Sequence, residues 1–299
     1  MEFLSTFING LSVGGIYAMI ALGYTMVYGI AKLLNFAHGD IIMVGAYMIV
    51  LFLPINPIVA IIAALLLCAI LGVCIEKVAY KPLRGASPLA VLITAIGVSY
   101  LLQSLAQIFA GPNTYYPNPL DQLFPGFMGE PNYGIIKIGA FSIKLSTLIT
   151  LICVAIVMIS LTLFVKRTKT GRAMVAVSED KGAAQLMGIN VNTIIVITFA
   201  IGSALAALAS ILTTFEASKV TTTMGSLPGI KAFTAAVIGG IGSIPGAMLG
   251  GIILGLVECF AQAVPAIAPY TVAIEFSILI IVLLVKPTGI LGKKRREKV

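Results

Sequence analysis

Residues 229–260 read GIKAFTAAVIGGIGSIPGAMLGGIILGLVECF, a run of apolar and small residues too long for one membrane crossing. A crossing helix takes roughly 20 residues, because the hydrocarbon core is about 30 Å thick and a helix rises about 1.5 Å per residue. The run is cut in its middle by Gly239-Gly240-Ile241-Gly242-Ser243-Ile244-Pro245-Gly246. Glycine and proline at that density end or kink a helix, so the stretch predicts two shorter helices meeting at the cut. Five other stretches pass the length test directly: Gly10–Ile30, Pro57–Glu76, Leu89–Ala110, Lys144–Val165 and Asn192–Thr214. Tyr270–Val285 is shorter but uninterrupted, and Asp40–Leu53 is about two-thirds of a span, ended by Pro54 and Pro57. The fold expected is an all-α integral membrane protein, a polytopic bundle of 8–9 segments with broken helices. Nine fits if 229–260 crosses twice, and eight if a broken region counts as one element.

Composition agrees. Of 299 residues, 59% are hydrophobic and 10% charged, where a soluble chain carries about 25% charged residues. So few charges cannot cover a surface facing water, which excludes soluble enzymes, secreted disulfide scaffolds and nucleic-acid binders. Cys68, Cys74, Cys153 and Cys259 lie in apolar runs without CxxC spacing and read as small buried hydrophobes. Met1-Glu2-Phe3-Leu4 lacks the basic start of a signal peptide and reads as part of the mature fold.

The net charge of +8 reports sidedness. Lys77, Lys81 and Arg84 flank one connection, Lys166, Arg167, Lys169, Arg172 and Lys181 fill another, and Lys286, Lys293, Lys294, Arg295, Arg296 and Lys298 end the chain. Placing these inside brings Lys32 inside too, so 15 of 19 basic residues share one face. Lys137, Lys144, Lys219 and Lys231 fall outside or at the outer interface. The N-terminus is then expected outside and the C-terminus inside. The sizeable external segment, 110–144, opens with Gly111-Pro112-Asn113-Thr114-Tyr115-Tyr116-Pro117-Asn118-Pro119 and carries Asp121 and Glu130. A connector and a partner contact are both open readings for it.

The broken regions overlay on one another. Gly10–Ile30, a polar break, Gly39, a short run and Pro57 match Asn192–Thr214, a polar break, Gly229, a short run and Pro245. Glycine-to-proline spacings are 18 and 16 residues. With opposite orientations the copies form an inverted repeat, a plan that puts a solute path at the repeat interface. The chain then reads as one transmembrane domain over 1–299. It comprises a first repeat (about 10–110), a connecting span (144–165), an inner loop (166–190), a second repeat (about 191–286) and a basic tail (287–299).

Catalytic constellations are nearly absent. His38 is the single histidine, no Gly-x-Ser-x-Gly elbow occurs, and Gly289-Ile290-Leu291-Gly292-Lys293-Lys294 lacks the spacing and the Ser/Thr of a P-loop. No metal site, catalytic residue or cofactor is therefore expected, and any driving energy comes from an ion gradient or another polypeptide. Glu76, Glu216, Glu258 and Glu275 read as acids near span ends, with capping or pairing as their ordinary role. In Asn35-Phe36-Ala37-His38-Gly39-Asp40, two readings fit: capping of the helix that follows, or a break that lines a path or gate. Asn35, His38, Gly39 and Asp40, with Gly239, Gly240, Gly242 and Pro245, are the candidates for such a path. The inner loop carries Glu179-Asp180-Lys181-Gly182-Ala183-Ala184-Gln185-Leu186-Met187-Gly188. Residues from Arg172 to Met187 predict a helix stopped by Gly188, too short and polar to span. It is either a solvated connector or a dock for a soluble motor.

At these residues the chain resembles the permease subunits of bacterial ATP-binding-cassette importers, whose inner loop carries Glu-Ala-Ala, three residues, then Gly. Ala183, Ala184 and Gly188 keep that spacing, with Gly182 where the glutamate is expected and the later Ile-x-Leu-Pro part missing. Leu34-Asn35-Phe36-Ala37-His38-Gly39, Gly171-Arg172-Ala173, Leu186-Met187-Gly188-Ile189-Asn190 and Ala236-Val237-Ile238-Gly239-Gly240 extend the likeness over nearly the whole chain. It is similar to the shorter permease of high-affinity branched-chain amino-acid systems. The resemblance implies a bacterial inner-membrane subunit that moves leucine, isoleucine and valine by alternating access. It also implies a heterodimer with a second permease, two cytoplasmic ATPases that use ATP and Mg, and an external solute-binding protein. Glu179, Asp180, Ala183, Ala184 and Gly188 become the expected ATPase-coupling contact. Urea, short amides or other amino acids are alternative cargoes; a passive channel or an ion-coupled carrier is the competing class.

Overall fold

The computed structural model describes residues 2–33, 35–123, 135–138, 141–217 and 219–292. Leu34, Glu130 and the tail residues Lys293, Lys294, Arg295, Arg296 and Lys298 lie outside them. In chain order the elements are α1 (Glu2–Ala31), α2 (His38–Phe52), α3 (Pro57–Ile75), α4 (Pro88–Ala110), the short α5 (Pro119–Leu123), β1 (Ile135–Ile138), β2 (Phe141–Lys144) and α6 (Leu145–Arg167). There follow α7 (Lys169–Glu179), α8 (Lys181–Leu186), α9 (Val191–Ala217), α10 (Ser226–Gly239), α11 (Ile244–Ala263) and α12 (Thr271–Val285). Among the described residues seven helices are long and apolar enough to cross a membrane, and α2 and α10 are shorter apolar helices. The protein is a polytopic helical membrane protein.

Local chemistry explains where the helices start. α3, α4 and α11 each open on a proline placed one or two residues after a capping side chain, where the missing N–H costs nothing. Asn56 Oδ1 accepts from the N–H groups of Ile58 at 2.8 Å and Val59 at 3.4 Å, Ser87 Oγ from Ala90 at 3.3 Å, and Ser243 Oγ from Gly246 at 3.2 Å. The cut at 239–246 therefore ends α10 and opens α11, as its glycines and proline predict.

α1 is the axis of the bundle. Its most apolar stretch is 89% buried, against 17% for α4 and 11% for α12, which lie at the periphery. α1 runs antiparallel to α11 with small residues in register. Side chains at Gly14, Gly251 and Gly255 would run into the facing backbone at Ile252, Ala18 and Gly14. Close backbone approach through small residues is the packing mode that works in lipid, where apolar surface gains nothing by leaving the tails.

Three expectations change. α1 begins at Glu2 rather than Gly10, because Ser5, Thr6 and Asn9 extend the same helix beyond its buried part. The segment 110–144 is not only loop: it holds α5 and a hairpin pairing Ile135 with Lys144 and Ile138 with Phe141. Cys74 is exposed rather than buried.

Candidate functional site

The first break leads to a crossing of the two short helices. After α1 ends, the chain turns back and α2 starts at His38, whose ring stands edge-on to Tyr24 with centroids 4.7 Å apart. His38 lies so close to Gly23 of α1 that a side chain there would overlap the imidazole. Asn35 is buried and its Oδ1 accepts from the Tyr80 hydroxyl at 2.9 Å, while the Tyr80 ring packs tilted against Phe199. Gly39 faces Gly225 and Gly229 of the α10 start, with room for a Cβ at Gly39 only 3.1 Å from the Gly229 Cα. This is the same glycine pair that the repeat alignment equates. The space bounded by Tyr24, Tyr28, Asn35, Phe233 and Ile241 is about 10 Å³, room for about one water and far too little for an amino acid, so the break is narrow in this conformation.

Asp40 sits in the first turn of α2 and is buried, 2% exposed. Its Oδ1 accepts from Gln103 Nε2 at 2.8 Å. The same amide nitrogen donates to Ser99 Oγ at 3.4 Å and to Ser226 Oγ at 3.3 Å. One side chain of α4 thus ties together the starts of both short helices. Gln103 and Ser226 were not among the sequence candidates, although Ser99, Gln103 and Gln107 recur at every fourth residue of α4, a spacing that could have marked one polar helix face.

The second break goes elsewhere. Gly239 packs on Gly246, and Gly240, with φ +111°, faces Thr288 and Gly292. Ile290 and Leu291 donate their N–H groups to the carbonyls of Ile238 and Gly239, both at 2.8 Å. Gly242, with φ +93°, lies near Gly29, and Pro245 opens α11. These four candidates gather at the α10–α11 turn against the segment after α12, whereas Asn35, His38, Gly39 and Asp40 gather at the α2–α10 crossing. The turn 239–246 is the counterpart of the 53–56 turn before α3, not of the 32–37 break.

The inner loop folds as an elbow of two helices rather than the single helix expected between Arg172 and Met187. Asp180 breaks it by taking an extended conformation, φ −151°, and its Oδ1 caps α8 by accepting from Ala183 N–H at 3.0 Å. Glu179 ends α7, Ala183 is exposed, Ala184 is buried, and Gly188 supplies the left-handed φ of +80° that closes α8. Lys181 Nζ donates to the carbonyl of Ala31 at 2.9 Å, fastening α8 to the end of α1. Burial, and then the nearby Arg84 guanidinium, pull the Lys181 ammonium below its ordinary value. Arg84 itself bonds Glu76, which is fully buried, and Asn192 at the start of α9. Leu186 and Met187 are 90% and 81% exposed at the tip of the elbow.

A charged cluster missed from the sequence lies among α1, α10, α11 and α12. Lys231 Nζ is 2.7 Å from Glu258 Oε1 and 3.1 Å from Glu275 Oε1. Tyr17 donates to Glu258 Oε2 at 2.7 Å and Gln262 to Glu258 Oε1 at 3.1 Å. Lys231 was expected at or outside the outer interface and the two glutamates near hydrated span ends. Instead all three are buried, with Lys231 as the shared counter-charge of both carboxylates.

Comparison with known proteins follows from this geometry. The family described as branched-chain amino acid transport system, permease component, matches residues 6–283. The chain belongs to this permease family. It is 42% identical to the high-affinity branched-chain amino acid transport system permease protein BraD of Pseudomonas aeruginosa, over 100% of this chain and 98% of that one. Identity to the permease protein LivH of Escherichia coli K12 is 39% over the same shares. A probable branched-chain amino acid transport permease of Methanocaldococcus jannaschii is 30% identical over 92% of this chain and 88% of its own. As a member, the chain is a multi-pass transport permease of the membrane.

Proposed function

We propose that the chain is the membrane-spanning subunit of an ATP-binding-cassette importer and carries leucine, isoleucine and valine inward by alternating access. The observation that carries this reading is the full-length likeness to high-affinity branched-chain permeases, 42% identical over all of this chain and 98% of the relative. The chain has no phosphate-binding motif of its own, so the motor is a pair of separate ATPases, which use ATP and Mg. A second, homologous permease completes a heterodimer, and an external solute-binding protein delivers the cargo. The N-terminus is outside and the C-terminus inside, which sets the blocks α1–α4 and α9–α12 in opposite orientations.

The elbow α7–α8 supports the motor assignment. It is too short and polar to cross the membrane, yet its tip presents Leu186 and Met187 bare. Apolar side chains of that size at a tip favour a partner's groove over water. ATP closure pushes α8, the Lys181–Ala31 tie passes the push to α1, and α1 carries α11 with it through their glycine contacts. Glu179, Asp180, Ala183, Ala184 and Gly188 shape the elbow, and the α2–α10 crossing with Asn35, His38, Gly39 and Asp40 is the gate region. Gly239, Gly240, Gly242 and Pro245 form the turn that lets α10 and α11 shift against the chain end.

Leucine uptake by vesicles holding the reconstituted importer tests the reading. Uptake is expected to require ATP inside and the loaded binding protein outside, and to persist with an ionophore present. Uptake without the ATPases, or abolished by the ionophore while ATP persists, sinks it.

A further inference from the structure

Among the charged groups buried in the bundle, Asp40 stands apart. The ion pairs among the described residues join Glu76 to Arg84 and Lys231 to both Glu258 and Glu275; none reaches Asp40. Its carboxylate has neutral hydrogen-bond partners only, Gln103 foremost. A carboxylate held inside a membrane bundle without a cation is costly, and it persists where function needs it.

The surroundings show from which side a partner arrives. α4 is the least enclosed helix beside Asp40, 17% buried, and Ser99, Gln103 and Gln107 recur on it at every fourth residue, one face of a helix. Ser104 and Tyr100 flank that row and are exposed. Lipid tails offer no hydrogen bonds to such a row, so this face of α4 needs a polar partner. Gln103 belongs both to this row and to the Asp40 cluster, and Ser226 of α10 faces the same amide.

From this geometry we infer that Asp40 is a substrate-binding residue of the path, accepting the α-ammonium group of the amino acid as it passes α4, with Gln103 and Ser226 positioning the carboxylate. This deepens, and rests on, the reading of the chain as an amino-acid permease. An ammonium group brings three N–H donors and a full positive charge, which are what the Asp40 site lacks. The apolar cargo side chain needs no hook, but its charged backbone does, since an unpartnered ammonium cannot cross a low-dielectric path. A leucine-type side chain and a single carboxylate hook are therefore compatible with a path so poor in charge.

The test uses the whole importer in liposomes and measures leucine uptake beside ATP hydrolysis stimulated by the loaded binding protein. With Asp40→Asn, uptake is expected to fall about tenfold or more, the loss of one charge-assisted hydrogen bond, and to fall further than stimulated hydrolysis does. Asp40→Glu, which keeps the charge, is expected to restore part of the uptake. Gln103→Leu removes the positioning donor from a peripheral helix and is expected to lower uptake about threefold, again by more than hydrolysis. Native uptake in Asp40→Asn or in Gln103→Leu overturns the inference. Equal loss of uptake and hydrolysis in both variants also overturns it, because that marks a purely structural cap. Absence of leucine uptake by the native complex is a different failure, that of the permease reading itself.

Discussion

Two polar clusters lie inside this bundle and they are built on opposite rules. Around Lys231 charge meets charge: one ammonium lies between two carboxylates, and Tyr17 and Gln262 occupy further lone pairs of Glu258. Around Asp40 a carboxylate meets amide and hydroxyl donors but no cation. The first arrangement suits a fastener. α12 buries only Thr271 and Glu275, so the Lys231–Glu275 pair is the main polar tie between that helix and α10. The second suits a group kept available for a charge that arrives from elsewhere. Density of charge is thus no guide to function in a membrane; the presence or absence of a counter-charge is.

The comparison breaks most easily at Lys231. Lys231→Met leaves Glu258 and Glu275 facing each other without a cation, and removal of one partner from a buried ion group costs about 3–5 kcal/mol. The expected outcome is a clearly lower thermal unfolding midpoint of the purified subunit in detergent, with reduced yield. An unchanged midpoint would show that the cluster fastens nothing. Neutralising the rest sharpens the point: adding Glu258→Gln and Glu275→Gln to Lys231→Met is expected to recover most of that loss, since buried ion groups replaced as a set are often near neutral. Measured in the same melting series, a triple variant no better than the single one assigns the stability to the lysine stem's packing instead of its charge.

These clusters also show what was legible in the sequence. Apolar run length reveals the crossings, because lipid forces every backbone hydrogen bond inside the helix. Cap-and-proline pairs such as Asn56-Pro57 and Ser243-Ile244-Pro245 mark helix starts, and the spacing of Gly39 and Gly229 aligns two glycines that do touch. What was not legible is lateral partnership. Lys231, Glu258 and Glu275 stand on three helices with no local spacing to link them, so each looked like an interfacial charge. Nothing read from the sequence linked Gln103 of α4 to the starts of α2 and α10, which meet beside it. The split of the elbow at Asp180 was foreseeable, since an aspartate three residues before Ala183 is a helix cap; the run of helix formers around it hid the signal.

A smaller effect separates Asp40 from the fastening cluster. If its carboxylate serves a passing ligand, it costs stability where it stands, the helix start offsetting only about 1 kcal/mol, so neutralising it takes no stability away. Asp40→Asn is accordingly expected to shift the unfolding midpoint far less than Lys231→Met in the same assay. A shift as large as that of Lys231→Met would place both clusters in the same structural class.

Lys181 provides the smallest and most specific test, because its charge is answered by a carbonyl rather than a carboxylate. Its ammonium sits below the ordinary 10.5 in the folded protein, through burial first and Arg84 second. The folded state therefore holds fewer protons than the unfolded chain between its lowered value and 10.5, and stability rises with pH across that window. Below the window both states carry the charge and the contribution is constant. Lys181→Met removes one hydrogen bond and one half-buried charge together, so its midpoint near neutral pH is expected to differ from native by little, about 1 kcal/mol at most. On raising the pH toward 10.5 the native protein should gain on the variant, with the neutral amine still able to donate to Ala31. If the difference between the two stays flat across that range, the tie between α8 and α1 does not depend on the ionisation of Lys181, and the push on the elbow is carried by the packing of Ala184 and Met174 instead.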